Sequence, residues 1–441
     1  MPIAGRSRRT ALAGLGAAMA APLALPALAQ RAGLTPLGAD LAGNAAGTIP
    51  RWAGGLTALP PDGEDPYATD PVVQVLGAAE ADDPRLAPGH AALLRARPGF
   101  RIRLLPSRRS AAVPGFVLRA TEANPGRARL VSGGNGVAGA AIGIPFPRPA
   151  NGLEAIWNHM LRWRFQALQR TVAFAAPLAN GSYTLGRTLD RTLYPYNAPD
   201  AAPETVGPAS QLLVYVTLAP AEYGRLALLS HQPLDFGQEG TRYWFYVPGD
   251  RRVAFSADTA FDVPNRLFDG LRTVDNADIF AGSPERYAWT LLGKRETIVP
   301  YNSFALTSPR RRYAEVLQPG ALNPALARYE LHRVWVVEAR LRPGQRHRFP
   351  RRVFYLDEDS WQALLIEHYD ARGALQRVSE AHPVQYDRPL SFYASVDVVH
   401  DLPTGRYGVF GMPNEEPPID TGPALTPADF TPPAFRSLVT R

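Results

Sequence analysis

From about residue 170 onward the chain is a succession of short runs rich in Val, Tyr, Phe and Trp: "QLLVYVTL", "RYWFYV", "RVAF", "YAWTLLG", "RYELHRVWVVEARL", "RRVFYL" and "ALLIEHYD". Pro-Gly, Asp-x-x-Gly and Asn separate them. β-branched and aromatic runs of this length between turn residues form strands. Within "RYELHRVWVVEARL" the alternation puts Tyr329, Leu331, Trp335, Val337, Ala339 and Leu341 on one face, and Glu330, His332, Glu338 and Arg340 on the other. Pro343-Gly344 turns that strand towards "RRVFYL", and Asp370-Ala371-Arg372-Gly373 turns the next towards "ALQRV". Consecutive antiparallel pairing is the economical topology. The expected architecture is a large meander, mainly antiparallel β, with one covered face.

One helix stands out before it. "NGLEAIWNHMLRWRFQALQR" carries Leu153, Ile156, Trp157, Met160, Leu161, Phe165 and Leu168 at helical spacing, with Asn158, Arg162, Gln166 and Gln169 opposite and His159 at the boundary. Asn151 and Glu154 form an N-cap with a carboxylate three residues on. Just upstream, Gly134, Gly136 and Gly139 match G-x-G-x-x-G, and Glu154 follows at a distance that would suit a ribose-binding acid. That fingerprint requires a helix directly after the glycines. Pro145, Pro147 and Pro149 exclude it. The glycines instead suit a tight loop with positive φ.

The N-terminus reads as an export signal. Residues 1–29 combine Arg6, Arg8 and Arg9 with an Ala/Leu core and an A-x-A site ending at Ala29, and Ser7-Arg8-Arg9 fits the twin-arginine pattern. Cleavage near Ala29 implies a soluble, periplasmic mature protein. Residues 30–441 are expected to form one domain, whose Gly/Pro/Ala-rich stretch 30–130 wraps around it with a short helix near "GHAALLRARP".

Composition narrows the chemistry. The full chain carries a formal charge of +7, and losing the leader's three Arg brings the mature chain to about +4. No block of like charge marks a nucleic-acid surface. With no cysteine there is no disulfide-linked partner, thiol nucleophile or lipidated Cys. No G-x-S-x-G, P-loop or H-E-x-x-H motif occurs. Eight His (90, 159, 231, 332, 347, 368, 382, 400) lack metal-ligand spacing, and His368 with Asp370 is too small a set for a site. "DEDS" (Asp357–Ser360) and "RRR" (Arg310–Arg312) read as a solvated turn and a solvated loop. No cofactor, metal or catalytic residue is expected.

Several long stretches together resemble the exported Gram-negative family known as domain of unknown function 1329. They are "LTPLGADLAGNAAGTIPRWAGGL" from Leu34, "GGNGVAGAAIGIPFPRPANGLEAIWNHMLRWR" from Gly133, "YVPGDRRV" from Tyr246, "DGLRTVDNADIFAGSPERYAW" from Asp269, and "YELHRVWVVEA" through "RRVFYLDEDSWQALLIEHYDARG". The resemblance implies an enlarged relative of the lipoprotein carriers LolA and LolB: an incomplete antiparallel β-barrel capped by helices around an apolar cavity. "FYLDEDSWQALLIEHYDARGALQRV" reads like the late hairpin of that fold. Lacking a lipidated Cys, the chain is closer to LolA. The resemblance supplies no catalytic residues; it implies a lipid or other hydrophobic small molecule as ligand, and an inner-membrane RND-type permease or an outer-membrane protein as partner.

The expectation is therefore a non-enzymatic periplasmic carrier holding an acyl chain or other hydrophobe between a curved sheet and its helices. Trp157, Met160, Leu161, Phe165, Trp244, Tyr246, Trp335 and Phe354 are the candidate cavity residues. The runner-up is a docking module of an RND-type export complex, with a filled interior, and a third reading, resting only on the twin-arginine signal, is an unrecognised hydrolase or oxidoreductase. An apolar cavity open to solvent favours the first reading, a packed interior the second, and a polar pocket converging on His or Asp the third.

Overall fold

A computed structural model describes residues 33–440 except 61–63, 224–225, 250–251, 257–261 and 266–267. Residues 1–29, expected to be a signal peptide, and the expected cleavage site near Ala29 lie outside the described residues. In chain order the strands are β1 (Gln74–Leu76), β2 (Ile102–Leu104), β3 (Arg129–Val131), β4 (Gly136–Ala138), β5 (Ala167–Ala175), β6 (Gly186–Leu193), β7 (Ala209–Ala219), β8 (Ala227–Pro233), β9 (Arg242–Val247) and β10 (Arg252–Ser256). They continue with β11 (Tyr287–Pro300), β12 (Leu317–Gln318), β13 (Ala321–Leu322), β14 (Tyr329–Leu341), β15 (Arg351–Asp357), β16 (Ala363–Tyr369), β17 (Leu375–Asp387), β18 (Leu390–Asp401) and β19 (Tyr407–Met412).

Fifteen of these strands form one sheet in the order β1-β2-β14-β15-β16-β17-β18-β19-β5-β6-β7-β8-β9-β10, with β11 on the other side of β14. Sequence neighbours pair antiparallel from β14 to β19 and from β5 to β10, as the turn signals predict. The last strand, β19, returns to β5 and joins the two meanders. β1 and β10 end the sheet without pairing to each other, so the barrel is incomplete.

One covered face is not what the structure has. Strand β16 is buried along its whole length, and most of β15, β17 and β18 with it. Along β15, Val353 and Tyr355 enter one apolar cluster, while Phe354 and Leu356 enter another on the opposite face. The first cluster takes Leu93 and Leu94 from the Pro88–Ala96 helix and Ile102 and Leu104 from β2. The second takes Ile156, Trp157 and Met160 from the Gly152–Leu161 helix. The wrapping segment thus covers the face that the alternating pattern had assigned to solvent. Polar residues of the central strands are thereby enclosed.

The helix itself is half as long as its pattern implies. Asn151 caps it by accepting a bond from the Glu154 amide at 3.0 Å, and Gly152 lets its first turn approach β11, where a Cβ would lie 2.7 Å from the Trp289 carbonyl carbon. It ends at Leu161 because Arg162 turns extended (ψ 155°) and sends its guanidinium to Asp278 at 2.7 Å, joined there by Arg164. Phe165 takes a positive φ of 69°, and Leu168 continues into β5, where the ladder to β6 replaces the helical bonds. Upstream, Gly133, Gly134, Gly139 and Gly143 all adopt positive φ. Gly136, the middle glycine of the fingerprint, does not share that conformation and opens β4, which pairs with β3, and no helix directly follows the fingerprint.

Candidate functional site

Of the eight candidate cavity residues, five meet. Trp157, Met160 and Leu161 pack with Phe354 of β15 and Trp335 of β14 in one apolar cluster. The Trp157 indole donates to the Gly134 carbonyl at 2.9 Å, and Trp335 stacks on Trp361 at 5.9 Å with the Lys294 ammonium 4.9 Å from its ring. Phe165 lies elsewhere, between Leu168, Tyr386 and Tyr393. Trp244 and Tyr246 of β9 lie in a third cluster, under Phe435 and Val439 of the C-terminal helix Pro432–Thr440. Beside the Trp157 cluster, the hollow bounded by Leu37, Val117, Ile144 and Phe392 measures about 10 Å³, room for roughly one water.

A larger space opens elsewhere. Where β5 turns into β6, Phe174, Leu178, Tyr183, Pro220 and Phe268 line a groove of about 350 Å³ together with the polar Ser182, Thr184, Glu222 and Asp269. Gly186 makes it possible for Phe174 to lie across β6, since a Cβ there would stand 1.9 Å from the ring. Phe268 meets Phe174 edge-on at 4.7 Å and Phe410 at 4.4 Å, forming a rigid aromatic floor. Leu178 is half exposed at its mouth.

The densest polar chemistry is enclosed beneath the N-terminal segment. The "DEDS" turn, read as solvated, is buried at all four residues. Its acids are held by cations from distant elements. Glu358 receives Arg333 at 2.7 Å, Lys294 at 2.8 Å and Arg109 at 3.3 Å, and Asp359 takes two bonds from Arg109, at 2.6 and 2.9 Å. Arg109 also donates to the Asp40 carbonyl at 2.8 Å, and the Trp361 indole to the Leu37 carbonyl at 2.8 Å, so the segment is pinned over the turn. Asp357 differs from its neighbours. One oxygen accepts from Ser360 at 2.6 Å and Tyr301 at 3.1 Å, and the other has no partner among the described residues. Burial, reinforced by the Asp359 charge, pushes its carboxyl up to about 7.

Two histidine centres hold further buried carboxylates. His332 stacks on Tyr301 at 3.7 Å and its Nε2 meets Glu330 at 2.9 Å; Glu330 is itself fixed by Arg328 at 2.6 Å and Asn302 at 2.9 Å. Glu380 is bonded by His90 at 2.8 Å, His400 at 2.9 Å and Tyr329 at 3.0 Å. Burial disfavours its charge, but the two imidazoles hold it well below the usual carboxylate range. His382 beside it is pulled down to about 4 by burial.

The family described as a protein of unknown function (DUF1329) matches residues 78–436. The chain belongs to the DUF1329 family. It is 42% identical over 417 residues to the uncharacterized protein PA3922 of Pseudomonas aeruginosa, covering 91% of each chain. Among solved structures, a Vibrio parahaemolyticus domain named for outer membrane lipoprotein sorting overlays with a TM-score of 0.44 at 15% identity, over 65% of this chain and 98% of that one. The LolA superfamily protein NE2245 of Nitrosomonas europaea gives 0.38 at 13% identity, over 64% and 98%. The DUF1329 match contains the groove, the buried acidic turn and both histidine centres; Leu37 and Asp40, which contact the turn, precede it.

Sequence reasoning missed these polar centres because their members are far apart in the chain. The parity of β14 does put Glu330 and His332 on one face, and that of β17 does the same for Glu380 and His382. What it hides is that this face is covered. His368 and Asp370, considered together as ligands, separate: His368 is buried against Ser379 at 2.9 Å, while Asp370 accepts the amides of Arg372 and Ala374 in the hairpin turn. Arg310 to Arg312 form an exposed loop, as expected, paired with Glu64 and Glu315.

Proposed function

We propose that this DUF1329 protein is a non-enzymatic periplasmic binding protein that carries an acyl chain or similar hydrophobe in the groove beside the β5–β6 turn. The observation that carries this reading is the groove itself, where the Phe174–Phe268 aromatic pair and the half-exposed Leu178 share the lining with Ser182, Thr184, Glu222 and Asp269. At about 350 Å³ it falls at the small end of ligand sites, which run from roughly 300 to 1,000 Å³. It therefore suits a segment of an acyl chain. Each methylene withdrawn from water contributes about 0.8 kcal/mol, so eight to ten of them supply roughly 6 to 8 kcal/mol before association costs. The expected export signal places the protein in the periplasm, where a lipid or hydrophobe crossing the envelope is its cargo.

Native mass spectrometry with lipid extraction of the mature protein from its own periplasm tests the reading. An acyl lipid or other hydrophobe should co-purify, and Leu178→Glu should abolish uptake of a fluorescent fatty acid while the melting temperature holds. A clean apo mass with no uptake by the wild type would remove the carrier.

A docking module of an envelope export complex is the second reading. The packed side chains around Trp157, Met160 and Leu161, the helix face expected to wall a cavity, favour it. Recovery of an RND-type permease with the apo protein, abolished by surface variants and indifferent to Leu178→Glu, would support it.

A further inference from the structure

We propose that His332, Asp357 and Asp359 form a binding site for one divalent transition cation, of the Zn²⁺, Fe²⁺ or Mn²⁺ type, sealed beneath the N-terminal segment. Each of the three offers a ligand atom, and all three atoms lie within 4.8 Å of one another. Ligands on a single ion at 2.0–2.2 Å stand about 3.4 Å apart in a tetrahedral site. A shift of about 1 Å in the side chains closes that gap.

Three further features point the same way. Asp357 is the acid of this turn that has neither a cationic partner nor, for one of its oxygens, any hydrogen bond among the described residues, although it is wholly buried. A carboxylate in that state is costly unless a cation or proton completes it. His332 has its Nε2 committed to Glu330, and Glu330 is immobilised by Arg328 and Asn302. An imidazole oriented by a carboxylate on one of its nitrogens is the usual setting of a metal-bound histidine. Asp359 is fixed in place by Arg109, and each of its oxygens keeps a second lone pair.

The donor set selects the ion class. One imidazole nitrogen with two carboxylate oxygens suits borderline divalent metals, whereas Ca²⁺ and Mg²⁺ prefer oxygen donors alone. Because Arg109 and the Asp40 carbonyl close the site from above, the ion enters as the chain folds and is then shielded from chelators. It acts as a structural clamp between the acidic turn and β14. This assignment is independent of the groove, which lies at the β5–β6 turn.

The experiment uses the full mature chain. Protein purified from its own periplasm, then dialysed natively against EDTA, is assayed by elemental mass spectrometry, and the same chain is refolded from guanidinium with EDTA, Zn²⁺ or Mn²⁺. About one equivalent of metal per chain is expected to survive native dialysis, refolding with Zn²⁺ or Mn²⁺ should raise the melting temperature over the EDTA sample, and Asp357→Asn and His332→Gln should lose the metal. Metal below a tenth of an equivalent in the wild type, melting unaffected by either ion during refolding, and an Asp357→Asn variant melting as high as or higher than the wild type would overturn it, leaving a protonated buried carboxyl in its place. Since the wild-type metal content is itself a readout, a variant that fails to fold does not remove the test.

Discussion

Arg109 grips Asp359 with both edges of its guanidinium, Nε to Oδ2 at 2.9 Å and an Nη to Oδ1 at 2.6 Å, across 250 residues of sequence. Both side chains are almost fully buried, and the same guanidinium reaches Glu358 and the Asp40 carbonyl. This pair fastens the N-terminal wrap to the late hairpin.

Truncating one partner should therefore be expensive. Arg109→Met leaves a buried carboxylate without its cation, and about 3–5 kcal/mol of stability should be lost, measured by urea unfolding. Arg109→Lys keeps the charge but not the fork, and should recover only part of it. Limited proteolysis of Arg109→Met should also cut within residues 33–110 sooner than in the wild type. A loss below about 1 kcal/mol, within the range of surface pairs, would mean the clamp is not needed to hold the wrap.

Asp397 gives a pH signature of known sign. Burial, opposed by Arg272, pushes its carboxyl up to about 7, against 3.8 for the free side chain. The protonated form is therefore favoured on folding. Ionisation costs the fold nothing below about pH 4, and the cost grows as the pH rises through 7. Asp397→Asn should match the wild type at pH 4 and exceed it at pH 8 by on the order of 2–4 kcal/mol. The difference between the two denaturation curves measures it; identical offsets at both pH values would show that Arg272 keeps Asp397 ionised throughout.

Trp157 separates core from cavity. Its ring is fully enclosed, lies 6.0 Å from Phe236 and is tied to the Gly134 carbonyl. Trp157→Ala should cost about 3–5 kcal/mol, with fatty-acid uptake falling only as far as the folded fraction does. Uptake lost at an unchanged melting temperature would instead make this face a ligand wall.

Leu178 is the converse case. It is half exposed at the groove mouth, so Leu178→Glu should move the melting temperature by less than about 2 °C, the scale of a surface substitution. Fatty-acid affinity should drop at least about tenfold, since a buried leucine contributes roughly 1.5–3 kcal/mol. Unchanged affinity would place the ligand elsewhere.

The chain's own pattern determined what depends on near neighbours. The β-branched runs between turns became strands, Pro343-Gly344 and Asp370–Gly373 joined consecutive pairs, and Asn151 capped the helix at its start. The three prolines after the glycine loop ruled out a dinucleotide fold. Each of these features reports forces acting within a few residues. Only the tertiary structure decided where the helix stops, since Asp278 draws Arg162 and Arg164 out of the pattern from more than a hundred residues away. It also decided that "DEDS" is interior. An acidic turn and a buried ion-pair centre look the same in sequence; burial becomes affordable only when Arg109, Arg333 and Lys294 converge from three other segments. Charge compensation at long range has no period along the chain.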